Sequence, residues 1–269
     1  MSGASNLRAR LGLPLVGLFT SLAVAGPWVS PRSPRAIDLA HVLEGPGAQH
    51  LLGTADNGVD VLAVILHGAR LAGVVSVATV AISLVVGTLL GGGAAFVGGR
   101  VGAVAARVTD AAQSFPSVLV NMAVLALVAR PGVLHLIAAL SVTGWVGYAR
   151  VARAEVLRLR EREFVTAARA MGALPARVFF RHVLPNASGP LIVQATFGLG
   201  AVVLAEAALS FLGLGPGASA SWGALLDQGT AHLLQAPRLA VTAGLAITVT
   251  VLGFNLTGDW LRDRFDPRG

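Results

Sequence analysis

Apolar residues run along this chain in long stretches separated by short polar or arginine-rich intervals. The stretches lie at roughly 11–29, 69–98, 108–129, 132–149, 188–213 and 237–258, and a hydrocarbon core of about 30 Å takes about 20 helical residues. Each is therefore predicted to cross a bilayer, which gives six spans. Two intervals are long enough to carry structure of their own. The first, "SPRSPRAIDLAHVLEGPGAQHLLGTADNGVD", is rich in Pro, Gly and Asp, too polar to enter lipid, and predicts an ordered external loop. The second begins in "TGWVGYARVARAEVLRLREREF", where arginines mark the return to water. The pattern predicts an all-α polytopic membrane protein with six transmembrane helices. Residues 1–68 form an N-terminal helix with its external loop. Residues 69–269 form a core of five transmembrane helices with a cytoplasmic elbow at about 161–186.

Composition agrees with that class. The chain is 55% hydrophobic and 12% charged, with a mean hydropathy of +0.74, against about 45–50% and about 25% in soluble domains. Cysteine is absent and every basic residue other than histidine is arginine. Disulfides, thiolate metal sites, a P-loop lysine and a Schiff-base lysine are all excluded, so any work driven by ATP requires a partner. The net charge of +7 comes with no basic stripe interleaved with aromatics, which argues against nucleic acid. It reports orientation instead. With the N-terminus inside, Arg8, Arg10, Arg100, Arg107, the arginines from Arg150 to Arg181, and Arg262, Arg264 and Arg268 fall in the cytoplasm, leaving Arg32, Arg35, Arg70, Arg130 and Arg238 outside. The excess inside places both termini in the cytoplasm. Arg8 and Arg10, a Leu-rich run and Ala23-Val24-Ala25 also resemble a secretory signal peptide, so retention or cleavage of residues 1–25 stays open.

Within the cytoplasmic interval, Glu155, Glu161 and Glu163 alternate with arginines, which favours a solvated helix laced with ion pairs over a lipid-binding patch. Phe164, Ala167, Ala168 and Met171 fall at i, i+3, i+4 and i+7, one stripe of a helix. Two alanines at the centre let another surface approach the backbone closely, while Phe164 and Met171 supply contact area at the ends. Gly172 follows at the position that ends helices in the left-handed conformation, Pro175 suits the first turn of a second helix, and Pro185 is expected to close that helix. The alternative is an amphipathic helix lying on lipid headgroups; the alanines argue against it, because a lipid-facing stripe gains more from Leu, Phe or Trp.

Ala167, Ala168 and Gly172, followed by His182, Val183, Leu184 and Pro185, resemble the EAA loop of binding-protein-dependent ABC importer permeases, with Thr166 in place of the usual Glu and His182 in place of Ile. "REFVTAARAMGA" and "FRHVLPN", with "LGTADNGVDVLAVILHGAR", "TGWVGYARVARAEVL", "LAEAALSFLGLG", "SWG" and "FNLTGDWLRDRFDPR", are similar to the second permease subunit of the dipeptide/oligopeptide/nickel class. The family's outer motif is altered here: Ala55 replaces an Asp and Val59 an Arg, while Gly53, Thr54, Gly58 and Asp60 remain. The resemblance implies a type I importer permease in the plasma (inner) membrane of a prokaryote. It further implies a homologous second permease, two ATPase subunits that bind ATP and Mg, an extracytoplasmic substrate-binding protein and a peptide substrate. No cofactor and no catalytic residue are expected on this chain. ATPase coupling is carried over to Glu163, Phe164, Ala167, Ala168, Met171, Gly172, Leu184 and Pro185. Dipeptides or oligopeptides are the expected cargo, with nickel or a metal chelate as the alternative.

Polar residues inside the spans are candidates for the translocation pathway or its gate: Glu206, Gln194 and Asn121, with Gln113, Ser114 and Thr196 near them. For each, the competing reading is a structural hydrogen bond between or within helices, favoured at Glu206. His41, His50, His67, His135, His182 and His232 show no ligand spacing that supports a metal site. Asp259, Asp263 and Asp266 alternate with Arg262, Arg264 and Arg268 as solvated ion pairs. A secondary transporter would need interrupted helices around substrate and coupling ion, for which only Glu206 offers a strong charge. An intramembrane protease would need a placed nucleophile; Ser219 lies in a loop.

Overall fold

Long uninterrupted runs of Leu, Val, Ala and Gly with no competing polar periodicity make helices that are apolar almost all round, the pattern of membrane spans. In the computed structural model, which describes residues 3–30, 32–217 and 220–265, five helices are long and apolar enough to cross a membrane. These are α1 (Gly3–Val29), α2 (Val61–Val97), α5 (Val133–Leu159), α8 (Ser188–Phe211) and α10 (Pro237–Phe265). No strand occurs among the described residues. The chain is thus an all-α, multi-pass membrane protein. Arg268 and Asp266, placed in the C-terminal charge pattern, and Ser219, considered as a nucleophile, lie outside the described residues.

The stretch at 108–129, expected as one span, is divided. It becomes α3 (Gly99–Gln113) and a shorter apolar helix α4 (Ser117–Ala126), with Pro116 preceding α4 at φ −58°, ψ 119°. Pro116 has no N–H for a continuing helix and biases the residue before it away from helical geometry. Ten residues rise only about 15 Å, half a hydrocarbon core. The fourth stretch runs the other way: α5 continues ten residues past the expected end at 149 and carries its arginines beyond the apolar stretch as one unbroken helix.

Helix packing depends on small residues. α2 lies against α5 through Gly87 and Gly91, where a Cβ would meet the backbone of Trp145 and Ala149 and the Tyr148 Cβ. A Gly-x-x-x-Gly pair of this kind lets two backbones come together where lipid offers no hydrophobic drive to associate. Near the end of α2, Thr88–Gly93 form a π turn, a local widening that shifts the helix face by part of a turn. Phe19 of α1, Ala69 of α2, Val203 of α8 and Ile247 and Phe254 of α10 form one buried cluster with Trp222.

Outside the spans, the segment between α1 and α2, expected on the external side, folds around polar contacts. His50 and Asp60 are both buried, with His50 Nδ1 2.8 Å from Asp60 Oδ2. Arg32 Nη1 lies 2.6 Å from His50 Nδ1 and 3.6 Å from Asp60 Oδ2. Asp60 also caps α2, accepting from the Ala63 N–H at 2.9 Å. Gly53 and Gly58 adopt φ +76° and +73°, and a Cβ on Gly58 would collide with the Asp38 carbonyl. From α10, Arg238 donates to the carbonyls of Leu43, Glu44 and Thr54. The retained Gly53, Thr54, Gly58 and Asp60 thus each hold this loop in shape. Ala55 and Val59 are buried against Val61, Val64, Leu225 and Leu239, so the two positions that depart from the family pattern contribute an apolar plug.

Candidate functional site: the cytoplasmic elbow

The elbow starts where α5 ends. Arg162 precedes α6 (Glu163–Ala170), whose first turn carries Glu163 and whose last turn carries Arg169, each placed favourably toward the helix dipole. The helix stops in a full Schellman turn. The Gly172 N–H donates to the Arg169 carbonyl at 2.9 Å and the Ala173 N–H to the Ala168 carbonyl at 3.1 Å, with Gly172 at φ +82°. Any residue with a Cβ is strained there.

The second arm, α7, opens with Pro175 in its first turn (Pro175–Val178), widens into a π turn at Phe179–Val183 and resumes at Leu184–Asn186. Pro185 does not close it. The Leu184 N–H reaches back to the Phe179 carbonyl, five residues away, and this wider turn accommodates a proline that an ordinary ladder would reject. Asn186 Nδ2 donates to the His182 carbonyl at 2.6 Å, and the chain continues within two residues into α8.

The faces of α6 are offset from the expected stripe. Ala168 is only 2% exposed and points inward with Val165. These two pack with Val178, Phe179 and Val183 of α7, Ala152, Val156 and Leu159 of α5, Ala95 of α2 and Leu191 of α8. Leu184 packs at the edge of this cluster. Phe164, Ala167 and Met171 face outward, Met171 at 82% exposure, and Leu174 extends the same surface. Ala168, read as part of the outward stripe, therefore belongs to the elbow's own core, and its small size permits close packing inside the chain. Glu163, Gly172 and Pro185 are exposed.

Polar contacts tie α5 and the elbow to the end of α2 and the start of α3. Arg160 Nη1 donates to the Ala95 carbonyl at 3.0 Å and Arg153 Nη1 to the Gly102 carbonyl at 2.7 Å. Arg169 stacks over Phe96 at 5.1 Å, and Phe96 contacts Phe179 at 5.5 Å between centroids. The ends of α2, α5 and α8 thus meet the elbow through a continuous apolar body edged by arginines.

The pathway candidates occupy different settings. Glu206, 1% exposed, accepts from Ser210 Oγ at 2.8 Å and from Ser221 Oγ at 2.9 Å. It joins α8 to α9 (Trp222–Ala231) as a structural anchor. Asn121 on α4 accepts from Thr143 on α5 at 3.0 Å, a bond between helices. Gln194 is half-buried beside Gly147 of α5. Thr196 and Ser114 bond to carbonyls of their own helices, and Gln113 is exposed. The three candidates Glu206, Asn121 and Gln194 do not converge on one site. Helix α9 went unpredicted, although Ser221 capping the Gly223 N–H at 3.1 Å and the spacing of Trp222, Leu225 and Leu226 signal it. Asp263 pairs with Arg8 of α1 at 2.9 Å instead of with its neighbours. Among the described residues no three potential metal ligands gather.

Membrane-length helices with a packed elbow built from the same chain define an all-α, multi-pass membrane component. Residues 83–268 match the family described as binding-protein-dependent transport system inner membrane component, and the chain belongs to that family. It is 37% identical to the dipeptide transport system permease protein DppC of Alkalihalophilus pseudofirmus, over 98% of this chain and 86% of that protein. It is 36% identical to the oligopeptide transport system permease protein OppC of Bacillus subtilis, over 98% and 87%. It is also 36% identical to the nickel transport system permease protein NikC of Escherichia coli, over 98% and 95%.

Proposed function

We propose that this permease is one of two membrane subunits of an ATP-driven importer of dipeptides or oligopeptides, fed by an extracytoplasmic binding protein. Two partner ATPases bind ATP and Mg, and both termini of this chain face the cytoplasm. Coupling runs through the outward face of α6, with Phe164, Ala167 and Met171 seated on an ATPase. Val165, Ala168, Gly172, Leu184 and Pro185 hold the elbow's shape behind them. Movement of the ATPase is transmitted as rigid-body motion into α5 and α8. The observation that carries this reading is the elbow core, in which residues of α6 and α7 share one apolar cluster with the ends of α2, α5 and α8. A second cargo, nickel or its chelate, is favoured by the similarity to NikC and uses the same mechanics.

The test is the assembled importer in vesicles. Ala167→Glu puts a charge on the outward face without entering the core. It is expected to leave membrane insertion intact while abolishing peptide uptake and the stimulation of ATPase by loaded binding protein. Uptake at the parental rate would remove α6 from the coupling path.

A further inference from the structure

A recess of about 420 Å³ opens on the external side between the loop that follows α1 and the outer part of α2. Its lining includes Arg35, His67, Arg70, Leu71, Val74 and Val133, and no carboxylate. His67 and Arg70 are three residues apart on α2 and so lie on one face. Arg70 is exposed on a helix whose neighbouring surface is apolar, Val74 and Val77 being exposed beside it. It lies about 14 Å along the helix from Val61, and no ion pair forms at it among the described residues. Arginine facing hydrocarbon is costly, and ionisable residues on spans face protein or water. A groove of about 730 Å³ shares Arg70 and Val74 with the recess and follows α2 inward to Ala81 and Phe254, so the recess has an apolar continuation.

We propose that this recess receives the C-terminal carboxylate of the peptide as it leaves the binding protein, with Arg70 as its principal partner. A guanidinium offers two parallel N–H donors matched to a carboxylate, His67 supplies a further donor beside it, and Leu71, Val74 and Val133 accept the adjoining side chain. The volume falls in the range of small-molecule sites, about 300–1,000 Å³. This deepens the peptide-import reading and rests on it.

The experiment compares uptake of one peptide as free acid and as C-terminal amide by the reconstituted complex. The same binding protein is used throughout, so its own preference cancels in the comparison. Arg70→Gln is expected to lower acid uptake about tenfold while amide uptake holds, and Arg70→Lys to recover part of the loss. An acid-to-amide ratio unchanged by Arg70→Gln overturns the proposal. So does an equal fall in both, accompanied by lost ATPase stimulation, because Arg70 then pairs with a carboxylate of a protein partner. Should Arg70→Gln fail to assemble, His67→Gln in the same assay must reduce the ratio. If the parental complex takes up neither peptide, the cargo reading itself fails and the inference falls with it; normal uptake with an unmoved ratio removes the inference alone.

Discussion

The two ends of the molecule are stabilised by opposite means. The elbow is an apolar body, with Val165, Ala168, Val178, Phe179 and Val183 closing on the ends of three spans, and it leaves Phe164, Ala167 and Met171 facing out. The external loop is held by polar side chains, with Arg32, His50 and Asp60 in one group and Arg238 gathering three carbonyls. Packed apolar interiors transmit displacement because they resist deformation, and an unpaired outer face needs a partner. A loop cross-linked by side-chain hydrogen bonds within the chain is a fixed cap. Under the proposed coupling, the packed end is the one suited to being pushed and the hydrogen-bonded end the one suited to staying still.

The contrast breaks most sharply at adjacent alanines. Ala168→Glu forces a carboxylate into the elbow core, with an expected loss above about 3 kcal/mol because no cation in that cluster pairs with it. Thermal unfolding of the detergent-solubilised complex reads this, and Ala167→Glu, one residue away, should leave the midpoint unmoved while removing coupling. Equal midpoints for the two variants would mean that α6 is oriented otherwise. Phe179→Ala is the next largest change. It removes a ring buried against Phe96 and is expected to cost about 3–5 kcal/mol, with coupling weakened in proportion to the slackened elbow. A loss below 1 kcal/mol by the same unfolding assay, roughly a methyl group's worth, would contradict a tightly packed body.

On the external side, Asp60→Ala removes the cap of α2 and the carboxylate facing His50 and Arg32. The expected loss is about 2 kcal/mol, accompanied by faster amide exchange at Ala63 and through the loop. Rapid exchange confined to the loop, with the start of α2 unaffected, would separate the two roles of Asp60.

How much of this was legible in the sequence follows from the same contrast. Spans are set by mean hydropathy, so α1, α2, α5, α8 and α10 could be read off, whereas the split at Pro116 is a single-residue event that a hydropathy window averages away. The elbow's two helices and the Gly172 turn were readable from local chemistry. Its facing was not, because Val165 with Ala168 and Phe164 with Ala167 and Met171 are neighbouring stripes on an eight-residue helix, and only the packing of α5 and α7 decides which turns inward. The loop announced itself as ordered by its glycines. Its partners, the Arg238 guanidinium and the buried His50, are set by long-range geometry that no local pattern contains.

The smallest expected effect sharpens the cap side. His41 Nδ1 lies 2.8 Å from Asp38 Oδ2 in the external loop. Bonding to Asp38 raises the His41 pKa above its ordinary 6.5, and bonding to His41 lowers the Asp38 pKa below its ordinary 3.8. A raised histidine stabilises fully below its unfolded value and loses that contribution as pH climbs through the folded value. A lowered aspartate stabilises fully above its unfolded value and loses that contribution as pH falls through the folded one. The pair therefore holds the short helical turn at Leu39–His41 best between pH 3.8 and 6.5 and releases it as pH rises through the folded His41 value or falls through the folded Asp38 value. Both groups are solvent-exposed, which keeps the effect small and sensitive to salt. The Ala40 N–H, which donates to Asp38 at 3.2 Å, reports it. Its exchange, corrected for intrinsic rate, should accelerate as pH rises through the His41 transition, and His41→Gln should flatten that profile without altering exchange at Ala63. A corrected profile already flat in the parental chain would mean that the pair contributes nothing to the cap, leaving Asp60 and Arg238 to hold it.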